Sequence, residues 1–294
     1  MTITSTHKPA LLLIGHGTRL AEGVAEFQRL TTRLQEALPA RLCAAGFLEL
    51  AKPSLRDAFE DLVRRGAREI VALPAMLLAG GHVKSDIPDE LDALRAEYPD
   101  NKLTYGVELG VHPNLLQVAR ERIESCETTF GPGYARQDTL LLVVGRGCSD
   151  PDANSNVSKI TRLLWEGMGF GWAETAYCAV TPPLVANVLD HIHGLGYRRI
   201  VVFPYVLFNG HLIRQIHAAV ETYQARHPEV RSMMAPYFSD HPLVVQTFID
   251  RLHQVEAGDN RMNCLLCQYR QPLFDGEHRH ETLLAGHRHD PPSQ

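Results

Sequence analysis

The chain has 294 residues, which at roughly 150 residues per domain predicts about two domains. Its composition, 45% hydrophobic and 21% charged, suits a water-soluble protein with a full core. Acidic residues outnumber basic ones 34 to 29, for a net charge of −5, and no apolar run approaches the length of a membrane span, so nucleic acid and membrane partners are excluded.

The first residues, MTITSTHKPALLLIGHG, have too short an apolar run for a signal peptide and lack a small-residue cleavage site. A reducing, cytoplasmic location is expected, and six cysteines therefore do not imply a disulfide framework. Ala10–Ile14 is the first predicted strand, continuous and apolar as in a sheet covered on both faces. Val24, Phe27, Leu30, Leu34 and Leu38 then recur at helical spacing. Arg41–Leu50 is the second strand region, and Leu55, Phe59 and Leu62 mark a second helix. Glu69–Leu73 is the third strand, followed by a glycine loop and a helix over Pro88–Tyr98. Lys102–Val107 is the fourth strand, and Leu115–Glu124 a helix whose first residue is Pro113, preceded by His112.

The same order then repeats. LLLIGHGTRL is matched by LLVVGRGCSD, with Gly15 aligned to Gly145 at an offset of 130. IVALPAMLLAGGH is matched by IVVFPYVLFNGH, where Pro74 and Pro204 keep the offset but His82 and His211 differ by 129, because the first copy has an extra glycine. VHPNLLQVARERI is matched by DHPLVVQTFIDRL, again at 129. Three blocks in one order describe a tandem duplication. The expected fold is α/β, two homologous three-layer αβα domains with mainly parallel sheets. The expected boundaries are 1–130 for a first domain carrying the active site, 131–253 for a degenerate repeat, and 254–294 for a tail. That tail holds Met262-Asn263-Cys264-Leu265-Leu266-Cys267 and the His278/His280 and His287/His289 pairs, with no sustained periodicity.

Gly15-His16-Gly17 is not a dinucleotide fingerprint, since the third glycine position is Leu20, and no Walker sequence is present. The turn instead delivers an imidazole to the carboxyl end of the first strand, the rim where parallel sheets bind ligands. His82 follows the third strand near a helix start, which disfavours imidazolium. Glu49 ends the second strand region. Two imidazoles and a carboxylate suit a borderline divalent transition metal and leave positions open for exchange. In the second copy the three positions hold Arg146, Ala179 and His211, so only the first copy has the full set. A turn-packing role for His16, and a surface role for His211, are the structural alternatives. His112 and His241 precede prolines at helix starts and read as caps.

The GHG, GGH and LGVHPNL blocks together resemble the class II tetrapyrrole chelatases, in particular the long-form sirohydrochlorin cobaltochelatases of cobalamin biosynthesis. The resemblance runs from about Leu11 to the tail. It implies that His16 and His82 are metal ligands, that His16 also accepts a proton, and that Glu49 is the active-site carboxylate. It further implies that Pro74, Ala75, Met76, Leu77, Leu78 and Ala79 line the tetrapyrrole. Cys264 and Cys267, with the histidine-rich end, are similar to the iron–sulfur segment of the long-form enzymes, although two thiolates alone equally fit a zinc or redox pair. The implied activity is insertion of Co(II) into sirohydrochlorin by a cytoplasmic lyase, acting as monomer or homodimer. Iron or nickel insertion, as for sirohaem, is the nearest rival, and a non-enzymatic metal or tetrapyrrole carrier is the rival of another class. A polycarboxylate substrate calls for cations in the cleft. Arg19, Lys52, Lys84 and Arg146 lie in suitable segments and equally suit solvated surface charges.

Overall fold

A computed structural model describes residues 8–129 and 135–261. The first half runs β1 (Ala10–Gly15), α1 (Ala21–Ala37), β2 (Cys43–Phe47), α2 (Leu55–Arg64), β3 (Glu69–Pro74), a π-helical turn (His82–Asp86), α3 (Ile87–Glu97), β4 (Lys102–Tyr105) and α4 (Pro113–Thr128). The second half follows with β5 (Leu140–Gly145), α5 (Pro151–Met168), β6 (Trp172–Tyr177), α6 (Val185–His193), β7 (Arg199–Pro204), α7 (His211–Arg226), β8 (Arg231–Met234) and α8 (Pro242–Glu256). Both four-stranded sheets are parallel, in the orders β2-β1-β3-β4 and β6-β5-β7-β8.

The strand register carries the duplication. Ala10 pairs with Ile70 and Leu140 with Ile200, which keeps the offset of 130 on both strands. Glu69 pairs with Lys102 and Arg199 with Arg231, so the offset falls to 129 between the third and fourth strands. Even unusual backbone is repeated: Leu50 and Val180 both have positive φ, as do Gly110 and Ser239.

Side-chain alternation explains the layers. Leu11 and Leu13 of β1 point to one core, while Ala10, Leu12 and Ile14 point to another with α2 and α3. The second half has its own outer core around Leu140, Leu142 and Val144. The inner core is shared, since Leu11, Leu13, Leu141 and Val143 belong to one apolar cluster. The shared core is built by an exchange. Helix α4 packs on β7 of the other half, α8 packs on β3, and the two helices pack on each other. Their starts are capped as expected: His112 and His241 accept hydrogen bonds from the backbone N–H groups of Asn114 and Leu243.

Polar ties reinforce the junction. Lys84 donates to Asp150 at 2.7 Å and Asp152 at 3.0 Å, and all three side chains are buried. Burial would lower the Lys84 pKa, but hydrogen bonds to the two aspartates outweigh it and hold the ammonium above its ordinary value. Lys84 is therefore committed to the junction and does not offer its charge to a ligand. Glu26, also buried, accepts from the Asn209 backbone N–H at 2.6 Å and the Tyr237 hydroxyl at 2.7 Å. Among the described residues no helix is long and apolar enough to cross a membrane.

Replacing Lys84 with Met would leave two buried carboxylates without their cation. Urea denaturation of Lys84→Met should report a loss of about 3–5 kcal/mol, the cost of breaking a buried ion pair by removing one partner.

Candidate metal and substrate site

The carboxyl ends of β1, β2 and β3 bring three ligand-type side chains together. His16 lies just past β1, Glu49 two residues past β2, and His82 at the start of the π-helical turn after β3. Their ligand atoms all lie within 4.8 Å of one another. The second strand is shorter than its apolar pattern predicts and ends at Phe47, so Glu49 stands in the following loop. That loop is held by its backbone: the Glu49 N–H donates to the His16 carbonyl at 3.0 Å. The approach is so close that a Cβ on Gly17, which has φ +102°, would sit 1.7 Å from the Glu49 carbonyl oxygen. The second glycine of Gly-His-Gly is thus required for Glu49 to reach His16.

The imidazoles face each other through Nε2, 3.0 Å apart. His16 Nδ1 lies 3.1 Å from the Gly17 carbonyl, and His82 Nδ1 lies 2.6 Å from the Asp86 carboxylate. Each Nδ1 therefore has an acceptor and carries the hydrogen, which leaves both Nε2 lone pairs directed inward. A 3.0 Å contact between two Nε2 atoms calls for either a shared proton or a metal ion between them. Glu49 Oε1 is 3.4 Å from His16 Nε2 and completes the set. Ligand atoms about 2.1 Å from a common ion stand about 3.0–3.4 Å from one another, so this spacing suits a divalent metal. The π-helical turn matters here because its geometry returns Asp86 to the ring of His82, four residues earlier. Burial first, and then the charge of Arg146, hold the His16 pKa below its ordinary value.

His16 and His82 open onto a cavity of about 740 Å³ between the halves, a volume within the range of small-molecule sites. Ala75, Met76, Leu77 and Leu78 line it. Pro74 and Ala79 are not part of that lining, and Pro74 is still paired with Ile14 in the sheet. Glu49 stands beside His16 but outside the cavity lining. From the second half come Arg146, Tyr205, Phe208 and His211. His211, expected as a surface residue, is exposed on this wall at the start of α7. Arg146 is exposed there, with no ion-pair partner within reach among the described residues. Tyr205, which the sequence did not single out, has a buried hydroxyl with no hydrogen-bond partner among the described residues. It takes the place of Ala75, and comparison of the two copies for polar replacements near the rim would have found it. Lys52 instead pairs with Asp57 on the surface. Cys264, Cys267 and the four tail histidines lie outside the described residues.

The CbiX family model matches this chain twice, over residues 10–126 and 140–255. A sirohydrochlorin cobaltochelatase of Priestia megaterium is 35% identical over 267 residues, 90% of this chain and 86% of its own length. A sirohydrochlorin ferrochelatase of Bacillus subtilis is 27% identical over 85% of this chain and 93% of its own. Among solved structures, the sirohydrochlorin chelatase SirB from Bacillus subtilis subspecies spizizenii in complex with cobalt matches with a TM-score of 0.72 at 27% identity, covering 85% of this chain and 96% of that one. SirB from Bacillus subtilis with Fe3+ matches at 0.74 and 26%, covering 86% and 97%. This chain belongs to the CbiX family, and its two parallel sheets form the chelatase fold.

Asp86 fixes the tautomer of His82 from outside the ligand set. Asp86→Asn should weaken metal binding at the cluster by about 10–100-fold while leaving the circular dichroism spectrum intact. A competition titration with Co(II) measures it.

Proposed function

We propose that this CbiX-family chain is a sirohydrochlorin chelatase that inserts Co(II) into the macrocycle for cobalamin biosynthesis. The observation that carries the reading is the pair of Nε2 atoms 3.0 Å apart, with Glu49 beside them, at a cavity lined by both halves. Family membership and the names of the relatives support the substrate. Both cobalt and iron appear in those names, and a His/Glu donor set accepts cobalt, iron or nickel. Cobalt is preferred because the cobaltochelatase relative matches at 35% identity, against 32% for a ferrochelatase of the same organism.

Insertion exchanges one divalent metal for two pyrrole protons. In this reading His16 and His82 hold the incoming ion, with Glu49 beside them. As the ion passes to the pyrrole nitrogens, it vacates two Nε2 lone pairs, and two protons need acceptors. His16 takes one and is relieved by Glu49, whose side chain is 47% exposed and can pass the proton to water. His82 is held in place by the Asp86 carboxylate 2.6 Å from its Nδ1 and is positioned to take the other proton. Three side-chain ligands hold the metal less firmly than a closed four-ligand site, as transfer requires.

The second half contributes recognition. Arg146 occupies the position of His16 and faces the cavity as a free cation for a substrate carboxylate. Tyr205 adds aromatic surface to the same wall, while its hydroxyl is buried behind it. An iron–sulfur cluster enters no step. The tail supplies two thiolates where a cubane takes four. Iron and sulfide content after anaerobic purification tests the tail directly.

Turnover of sirohydrochlorin with Co(II), Fe(II) and Ni(II), followed by tetrapyrrole absorbance, tests the reading. Cobalt should be fastest, and no turnover with any metal would leave only a carrier. His16→Ala should lower kcat by at least about 100-fold. The rate should be level above about pH 6.5 and fall as pH drops through the lowered His16 pKa, because protonation occupies the lone pair. Arg146→Ala removes a charge that lowers that pKa, so its acid limb should move to higher pH while KM rises about tenfold or more.

A further inference from the structure

A second set of metal-ligating side chains converges at the opposite end of the second sheet. His193 is the last residue of α6, His227 is the C-cap of α7, and Glu229 lies in the turn entering β8. Their ligand atoms lie within 4.8 Å of one another. These loops precede β7 and β8, whereas the first cluster lies beyond the carboxyl ends of β1, β2 and β3, so the two sets cannot share an ion.

We infer that His193, His227 and Glu229 form a separate binding site for a borderline divalent transition metal such as Co(II), Ni(II) or Zn(II). Glu229 Oε1 is 3.9 Å from His193 Nε2 and 3.6 Å from His227 Nδ1. These separations are too long for hydrogen bonds and slightly wider than the spacing of about 3.4 Å between ligands around a tetrahedral ion. His193 is oriented from behind: its Nδ1 lies 3.2 Å from the hydroxyl of Tyr223, a fully buried side chain. With Nδ1–H donated to that oxygen, Nε2 presents its lone pair toward Glu229. The His193 and His227 rings lie close together, with centroids 3.9 Å apart and planes tilted by 32°.

The electrostatics favour a cation. Two helix C-termini meet at the cluster, and each contributes partial negative charge beside the Glu229 carboxylate. The nearby Arg226 is engaged with Asp190. All three ligands reach solvent, with side-chain exposures of 39% for His193, 23% for His227 and 43% for Glu229. The first half has Val63, Tyr98 and Asp100 at the matching positions, so the ligand set belongs to the second half alone. Tyr98 there packs on Phe59 instead. The two halves have thus each acquired a ligand cluster, at opposite ends of the same fold.

Equilibrium dialysis of the full chain against Co(II), with metal counted per chain, tests the inference. Two proteins are compared, both carrying His16→Ala and His82→Ala to silence the first cluster, and one also carrying His193→Ala and His227→Ala. The tail is common to both, so its histidines cancel in the difference. The second protein should bind one Co(II) fewer per chain, and equal counts overturn the inference. If the alanine pair disturbs the fold, as read by circular dichroism, Glu229→Gln on the same background replaces it. That exposed substitution should weaken one Co(II) equivalent by at least about tenfold, and an unchanged isotherm overturns the inference.

Discussion

Each half lays its last helix on the sheet of the other, and that exchange holds the molecule together. With α4 on β7 and α8 on β3, neither sheet has its inner face covered by its own residues alone. The apolar inner core is consequently continuous across the duplication. It also fixes how the two carboxyl-end rims face each other, and therefore the cavity between them. The buried Lys84–Asp150–Asp152 group sits at this junction, two residues beyond His82. Forces that join the halves thus also position a ligand of the candidate metal site.

Duplication preserved the backbone and freed the side chains. Register, positive-φ positions and helix caps recur in both halves, because each is demanded by the packing of one parallel sheet. The rim positions differ between the halves, and His16 and Arg146 face the cavity rather than a core. His16 became paired across the molecule with Arg146, Glu49 with Ala179, and Ala75 with Tyr205. In the proposed reading, one rim handles metal and protons while the other recognises an anionic macrocycle.

Much of this was legible in the sequence. Parallel α/β architecture follows from short continuous apolar runs separated by helical periodicity. The duplication follows from three blocks at one offset, and even the step from 130 to 129 is reproduced by the strand register. Gly-His-Gly and Gly-Gly-His after strands also placed two imidazoles on one rim, since all parallel strands end on the same side. The caps at His112 and His241 were readable from the prolines that follow them.

The tertiary structure decided what depends on contacts between distant segments. No local pattern says that α4 and α8 exchange partners, because their apolar faces would pack on either sheet. None separates Lys84, consumed by two aspartates of the other half, from Arg146, left facing the cavity. Glu49 was assigned to a strand because its neighbours are apolar, but a backbone hydrogen bond to His16 holds it in a loop. The His193, His227 and Glu229 cluster escaped notice because its members lie 34 and 2 residues apart on separate elements. The sequence by itself determined the elements, their order and their doubling, since these follow from local periodicity and repetition. Which charges are paired, and which side chains share an ion-sized space, only the fold could decide.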